Sequence, residues 1–331
     1  MILWLAPLSL GLDLISADPK NLPHPVQVIG RLADALETPA RHCAYPVLAG
    51  AAVLAALLAM VGSTVALLTH LPFGLGIVIA LYFSWAGLAL GGLVREGNAA
   101  LTAVNASQRD PDTLPEARQA VQMLVSRDTK DMDVSDLYRS LAESVSENFN
   151  DAFVAPYFWL CTGGPVVLWL YKTASTMDSM WGYKNERWLL LGKAAARLDD
   201  ALAFIPARLS VMLMFITFRG ERAIRCSFGT CVAETGSVSS LGRWPGWGTV
   251  VRQARLSSSP NAGWPMAMAA WLFHGKTGGP TTYEGQTVHK PFMGPETGKW
   301  NADNTAALLR HVRMSGIVGG VVGFLLLYTV A

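Results

Sequence analysis

Apolar residues run through this chain in long stretches that charge does not interrupt, separated by segments of mixed polarity. Residues 47–68 and 73–94 carry no Asp, Glu, Lys or Arg. At 1.5 Å per residue each reaches about 33 Å, enough to cross the hydrocarbon core of a bilayer. Only Thr69-His70-Leu71-Pro72 separates them, so the two runs predict a helical hairpin over 47–94. Lys20, Arg31 and Arg41 precede it, and Arg95, Arg109, Arg118, Arg127, Lys130 and Arg139 follow it. The cytoplasmic bias of Lys and Arg puts both flanks inside and the hairpin tip outside. Residues 1–12 are apolar but lack a preceding basic residue and a small-residue cleavage pattern, which predicts an uncleaved membrane-associated helix.

Beyond the hairpin, 95–151 reads as a polar helical excursion. It has a break at Asp110-Pro111-Asp112 and a helix start between Asp133 and Asp136. Two further uncharged or nearly uncharged runs follow. Gly163-Gly164-Pro165 interrupts 153–171, and 201–218 contains Pro206 and Arg208. Two full crossings here would strand Lys172, Lys184, Arg187, Lys193 and Arg197 outside, against the basic bias. Broken or re-entrant helices over 152–218 resolve the conflict, because irregular backbone is tolerated where it lines a cavity. Two ordinary spans joined by a charged external loop are the alternative. Residues 219–313 predict a cytoplasmic excursion with a short apolar helix at 264–273. A last span occupies 314–331, where Gly316/Gly320 and Gly319/Gly323 suit close helix packing.

Composition sharpens this picture. Of 331 residues, 51% are hydrophobic and only 15% charged, against about 25% charged in a soluble domain; mean hydropathy is +0.32. Net charge is +2, too balanced for an electrostatic nucleic-acid binder. Cys43, Cys161, Cys226 and Cys231 fit no redox or zinc spacing and read as thiols. The expected fold is all-α: a polytopic integral membrane protein with broken helices and cytoplasmic polar segments, forming a single membrane-embedded domain over 1–331.

Candidate chemistry gathers around the interrupted runs. Glu143, Glu147, Asn150 and Asp151 share one helix face by spacing and run into a strongly apolar stretch. Such acids are costly at membrane depth unless they bind something, and oxygen ligands suit Mg²⁺; a solvated helix face is the plainer reading. Lys172, Asp178, Tyr183, Lys184, Asn185 and Arg187 form a second group able to clamp a phosphate or carboxylate, or else to snorkel to the interface. Asp199 and Asp200 can ligate Mg²⁺, serve as a base, or cap a helix. Arg208, inside an apolar run, needs a carboxylate or phosphate partner. His24, between prolines, and Asn261, in the turn from Ser259 to Pro265, are weaker candidates.

These segments together resemble the cobalamin-biosynthesis family of adenosylcobinamide-phosphate synthases, the CobD/CbiB family. The likeness rests on His24-Pro25-Val26 through Gly30-Arg31, Ser126-Arg127-Asp128-Thr129, Glu143-Ser144-Val145-Ser146-Glu147-Asn148, Ala155-Pro156 and Gly163-Gly164-Pro165. It continues through Tyr171-Lys172, Asp178-Ser179-Met180, Gly182 to Arg187, Ala196 to Asp200, Pro206 to Leu209, Ser259 to Pro265 and Gly278-Gly279-Pro280. The chain departs from the family pattern at Ala17, where Gly is usual before Asp-Pro, and at Ala203, where Asn is expected.

The resemblance implies a multi-pass enzyme of the inner membrane whose active site faces the cytoplasm. It would join adenosylcobyric acid to aminopropanol, or its O-phosphate, through an amide bond with consumption of ATP. On that reading Glu143, Glu147, Asp151, Asp199 and Asp200 supply the base, with Glu143, Glu147, Asp199 and Asp200 as Mg²⁺ ligands. Lys172, Asp178, Tyr183, Lys184, Asn185, Arg187, Arg208, His24 and Asn261 hold the substrates. The implied partners are the corrinoid, the amine phosphate and the bilayer, with no nucleic acid; self-association, or association with other cobamide-assembly enzymes, is compatible with the glycine pairs. A membrane transporter or sensor with the same broken helices is the competing class.

Overall fold

The computed structural model describes residues 2–16, 24–183, 185–227, 244–283 and 285–330. About 75% of it is helical. Among the described residues four helices are long and apolar enough to cross a membrane, or five if one bent pair counts as a single span. The chain packs as two compact units interleaved in sequence: Met1–Leu90, Asp151–Pro206 and Gly320–Ala331 form the first, Gly91–Asn150 and Ala207–Gly319 the second.

The first unit begins with α1 (Ile2–Ser16), the helix expected at the apolar start. It continues with α2 (Pro25–Arg41), α3 (Pro46–Thr69) and α4 (Leu75–Ala86). Helix α2 is amphipathic: Ile29, Ala33 and Ala40 are buried while Arg31 and Asp34 are exposed. Helix α3 matches the first predicted span to within a residue at each end. The predicted hairpin turn is present, with Phe73 and Gly74 in the left-handed region. The second predicted span, however, is interrupted. Helix α4 stops at Ala86 and α5 (Leu90–Arg109) starts afresh, the Ala89 amide donating to the Ala152 carbonyl at 2.9 Å. Gly87 allows this break to lie close to its neighbour, since a Cβ there would sit 2.5 Å from the Leu168 side chain.

Helix α6 (Leu114–Gln122) and α7 (Val134–Phe149) belong to the second unit. Their boundaries follow the sequence signals: Asp110 caps a 3₁₀ turn at Pro111–Thr113, and the Asp133 carboxylate accepts from the Asp136 amide at 2.7 Å to start α7. The chain then passes through a π-helical turn, Asn150–Val154, into α8 (Ala155–Trp181). Helix α8 is kinked at Gly164 (φ 70°, ψ −165°), immediately before Pro165. Only glycine adopts that backbone cheaply, and proline cannot close the missing bond. The Gly-Gly-Pro interruption is therefore real. The other predicted interruption falls at Ala203 rather than at Pro206: α9 (Lys193–Leu202) and α10 (Phe204–Ser227) meet at 42°.

The core of the first unit lies where α2, α3, α8 and α9 meet, with Leu54, Leu57, Met177, Trp181 and Leu191 nearly inaccessible. Gly50 lets the Leu191 carbonyl approach α3; a Cβ would stand 1.9 Å from that oxygen. In the last helix, α13 (Ala302–Val330), Gly320 fits against Leu10 and Gly323 against Tyr157, whose hydroxyl donates to the Gly320 carbonyl at 3.0 Å. Gly320 and Gly323 thus serve packing within the chain.

The second unit adds α11 (Trp247–Ala254), α12 (Gly263–Leu272) and an antiparallel hairpin of β1 (Thr277–Tyr283) and β2 (Gln286–Met293). Helix α12 is the short apolar helix expected within the excursion. The hairpin was not expected. Its signal is the β-branched and aromatic content of Thr281-Thr282-Tyr283 and Thr287-Val288, spaced by a glycine at 285.

Gly50→Ala should drive a methyl into the Leu191 carbonyl and cost about 1–3 kcal/mol, as overpacking does. Gly11→Ala on α1, with nothing within 4 Å of the new methyl, should be neutral or stabilising. Thermal unfolding in detergent reads both; equal midpoints for the two variants would contradict this packing.

Candidate functional site

Buried charge organises the second unit. Arg127 and Glu143 are 5% and 2% exposed and pair at 2.6 Å. The other Glu143 oxygen accepts the Gly278 amide at 2.7 Å. Arg127 Nη1 also approaches the Ser140 hydroxyl at 3.4 Å, and Gln122 donates to the Arg127 carbonyl at 2.9 Å. Burial alone would disfavour the guanidinium charge, but the neighbouring Glu143 outweighs it and the Arg127 pKa is raised. Gly278 must be glycine: its φ is +89°, and a Cβ would lie 2.1 Å from the Pro291 carbonyl oxygen.

The same hairpin is fastened a second time. Asp128 donates its amide to the Thr282 carbonyl and accepts the Gly285 amide on its carboxylate, both at 2.8 Å. Two neighbouring segments, 126–129 and 143–147, therefore meet a distant third, 278–280, at one place. Glu147, one turn beyond Glu143, lies within electrostatic reach of Lys290 and Arg127. Lys290 on β2 hydrogen-bonds the Tyr283 hydroxyl on β1 and sits 4.9 Å from that ring. Arg127, Lys290 and Tyr283 were not singled out as site residues; the Ser126 to Thr129 motif is the signal that points to Arg127.

The first unit holds the aspartates. Asp199 on α9 lies within electrostatic reach of Asp151, Asp178 and Asp200 and hydrogen-bonds Ser175. All four are partly buried. The Asp199 Oδ1 atom is shielded from solvent and has no hydrogen-bond partner. Tyr171, 1% exposed, stands within reach of Asp151, Asp199 and Asp178. Asp178 lies in the last turn of α8, where its carbonyl accepts the Gly182 amide at 2.6 Å. Lys172 is partly buried on the same helix. Lys184 lies outside the described residues, as do Ala17, Cys231 and the side chain of Cys226; Cys43 and Cys161 are free thiols.

Other expected ligands have structural employment. The Arg187 fork closes on Glu37 of α2, at 2.7 and 2.6 Å, while its guanidinium lies 4.6 Å from the Trp188 ring centre. This bond from Arg187 holds the Glu37 carboxyl below its usual range despite burial. His24 caps α2, its Nδ1 accepting the Val26 amide at 3.3 Å and its Nε2 meeting the Ala86 carbonyl at 2.9 Å. That arrangement requires the Nε2–H tautomer. Tyr183 is exposed, and Asn185 accepts the Trp188 amide at 3.1 Å to shape a turn.

Arg208 and Asn261, 53 residues apart, are brought together in the second unit. Arg208 donates to the Asn261 side-chain oxygen at 2.7 Å and to the Pro260 carbonyl at 3.3 Å, and lies 4.6 Å from the Trp264 ring centre. An amide oxygen and a backbone carbonyl are thus among the groups that meet the arginine.

The four expected Mg²⁺ ligands are divided, Glu143 and Glu147 in the second unit, Asp199 and Asp200 in the first. Among the described residues, no three His, Cys, Asp or Glu side chains gather closely enough to hold a metal ion by themselves. Mg²⁺ usually takes only one or two carboxylates together with substrate phosphates, and the unpartnered Asp199 oxygen among its neighbours fits that demand. Glu143 does not, because Arg127 and Gly278 already engage both its oxygens.

Arg127→Met should destabilise the protein by about 3–5 kcal/mol, since it leaves Glu143 buried without its partner, while replacing both by Met recovers most of the loss. Denaturant or thermal unfolding of the three variants checks it; a double variant no better than the single would contradict it. The Glu37–Arg187 contribution has the opposite pH sense to a basic group. Because the folded Glu37 pKa is depressed, its stabilisation is present above 4.5 and fades as pH falls below it. Glu37→Gln should flatten that part of the acid-unfolding profile, and an unchanged profile would refute the pairing.

Comparison with known proteins identifies the family. The model of the CobD/Cbib protein family matches residues 6–312. The chain is 37% identical over 292 residues to "Cobalamin biosynthesis protein CobD" of Pelobacter propionicus, covering 87% of this chain and 83% of that protein. Proteins of the same name from Geobacter metallireducens and Klebsiella pneumoniae are 36% and 31% identical, covering 86% and 90% of this chain and 83% and 89% of theirs. No solved structure matches significantly. With the family match running almost end to end and relatives 31–37% identical along it, the chain belongs to the CobD/CbiB family and has a role in cobalamin biosynthesis.

Proposed function

We propose that this protein is the ligase that joins adenosylcobyric acid to (R)-1-amino-2-propanol O-phosphate, or to the free amino alcohol, giving adenosylcobinamide phosphate or its dephosphorylated counterpart. The reaction is an amide synthesis from a carboxylate and therefore requires activation. The carboxylate oxygen attacks the γ-phosphorus of ATP, releasing ADP and leaving an acyl phosphate. The amine then attacks the acyl carbon, phosphate departs, and a base accepts the amine proton.

The observation that carries this reading is the shielded, unpartnered Asp199 oxygen amid Asp151, Asp178 and Asp200. These aspartates would hold Mg²⁺, which neutralises phosphoryl charge when bound. Asp151, in the same unit, is the candidate for the base, Glu143 being engaged by Arg127. Lys172 and Lys184 would orient phosphate or carboxylate groups. Arg187 and His24 keep the structural roles that their contacts give them. The basic flanks of the first hairpin support an inner-membrane enzyme working on the cytoplasmic side.

A transporter is favoured by one feature, the kinked α8 and bent α9–α10 pair, since broken helices line substrate pathways. One assay separates the readings. Membranes containing the protein, given adenosylcobyric acid, the amine phosphate and Mg-ATP, should release ADP and adenosylcobinamide phosphate one for one. Asp199→Asn should lower turnover at least about a hundredfold with folding intact. Corrinoid uptake into proteoliposomes without ADP release would overturn the ligase.

A further inference from the structure

Helix α2 carries its charge beside a helix that has none. The chain turns between Arg41 and Pro46, and one core cluster joins Ala33, Leu36 and Ala40 of α2 to Ala49, Val53 and Leu57 of α3. At the far end Ile29 and Leu32 line a common cavity with Val61 and Val65. The two helices are therefore antiparallel along nearly the whole of α2. Helix α3 is one of the candidate spans: it has no charged side chain, and only 22% of its apolar window is buried inside the protein. It rises about 36 Å, against about 30 Å of hydrocarbon. Arg31 precedes Arg41 by about 15 Å of helix, which places it near the middle of that height.

The outer face of α2 is polar. Gln27, Arg31, Asp34 and Thr38 follow the i, i+4, i+7, i+11 spacing of one helix face, and all four are exposed. Among the described residues neither Arg31 nor Asp34 has a side-chain hydrogen bond or an ion pair, although they stand one turn apart; Glu37, on the inner side, is met by Arg187. Lipid cannot satisfy either charge at that depth, whereas a polypeptide can. The two charges sum to zero, so the face is complementary to itself. Copies of one chain in a bilayer share one orientation, and a two-fold axis along the membrane normal sets two α2 helices side by side. Each Arg31 then faces the Asp34 of the other copy across an offset of about 4.5 Å along the axis.

We propose that the outer face of α2 seats a second copy of this chain, with two reciprocal Arg31–Asp34 ion pairs at the centre of the interface. Each copy contributes the same patch, as a closed two-fold dimer requires. The proposal does not depend on the reaction assigned above. A water-filled recess would also solvate this face, and it predicts a single copy, so the experiment separates the two.

Full chains labelled with donor or acceptor dye, reconstituted together in phosphatidylcholine vesicles, report association by energy transfer as added lipid dilutes the protein. Wild-type transfer should persist above the level of random proximity. Arg31→Asp and Asp34→Arg each set like charges against one another, and each should need at least about tenfold more protein per lipid for half association. Mixing these two variants should restore wild-type association, which also shows that both are folded. The chain carrying both substitutions exchanges the charges and should associate with itself as the wild type does. Wild-type transfer no higher than random proximity overturns the proposal. So do single variants that associate like the wild type, or a mixture and an exchanged chain that both fail to recover.

Discussion

Charge removed from water must be met by opposite charge or by directed hydrogen bonds, and in so apolar a chain that demand decides the architecture. The buried Arg127–Glu143 pair is its clearest expression. The ion pair alone does not exhaust the acceptors of Glu143; the Gly278 amide takes the remaining oxygen. A loop, a helix and a strand drawn from three parts of the sequence are thereby tied at one point. Replacing such a pair by apolar side chains is often harmless to stability, whereas leaving half of it is not. What the pair supplies here is register: β1 can approach α7 only where glycine gives up both a side chain and a negative φ.

The first unit meets the same demand with different groups. Glu37 turns into the core side of α2 and is met by the full fork of Arg187, so an amphipathic helix is fastened to the segment after α8. The hydroxyls of Thr69, Ser84 and Thr173 bond carbonyls one turn back in their own helices, which satisfies them without any partner helix. The aspartates around Asp199 stand apart from this pattern. They are gathered and partly buried, and one shielded oxygen lacks a hydrogen bond. A shielded carboxylate oxygen left without a hydrogen bond among other acids is where ligand chemistry is most reasonably sought.

Long-period and local signals are legible in the sequence. The span at α3, the Asp133 cap, the Gly164 kink and the short α12 all depend on local physics: hydropathy over twenty residues, a capping carboxylate, a glycine before a proline. In α13, Gly320 and Gly323 face neighbours in the same chain, as close packing at small residues requires. Two things were not visible. The break between α4 and α5 occurs inside an uncharged run, where hydropathy has no contrast to offer, and it is fixed by the Ala89–Ala152 bond and by Leu168 against Gly87. The β-hairpin is short, glycine-rich and held by Asp128 and Glu143, residues more than a hundred positions away. The same limit applies to site roles. Acids at i and i+4 on α7 look equivalent by spacing, yet Glu143 is tied to Arg127 and Gly278 while Glu147 faces Lys290, because the partners come from outside the helix.

The central claim is that the buried Glu143 carboxylate fastens the hairpin to α7, and amide hydrogen exchange tests it most directly. In Glu143→Met the amides of Thr277–Tyr283 and Gln286–Met293 should exchange at least about tenfold faster than in the wild type, a loss of roughly 1.4 kcal/mol or more in local opening energy. Exchange along Pro46–Thr69 should stay unchanged. Wild-type protection of the hairpin in that variant would contradict the account.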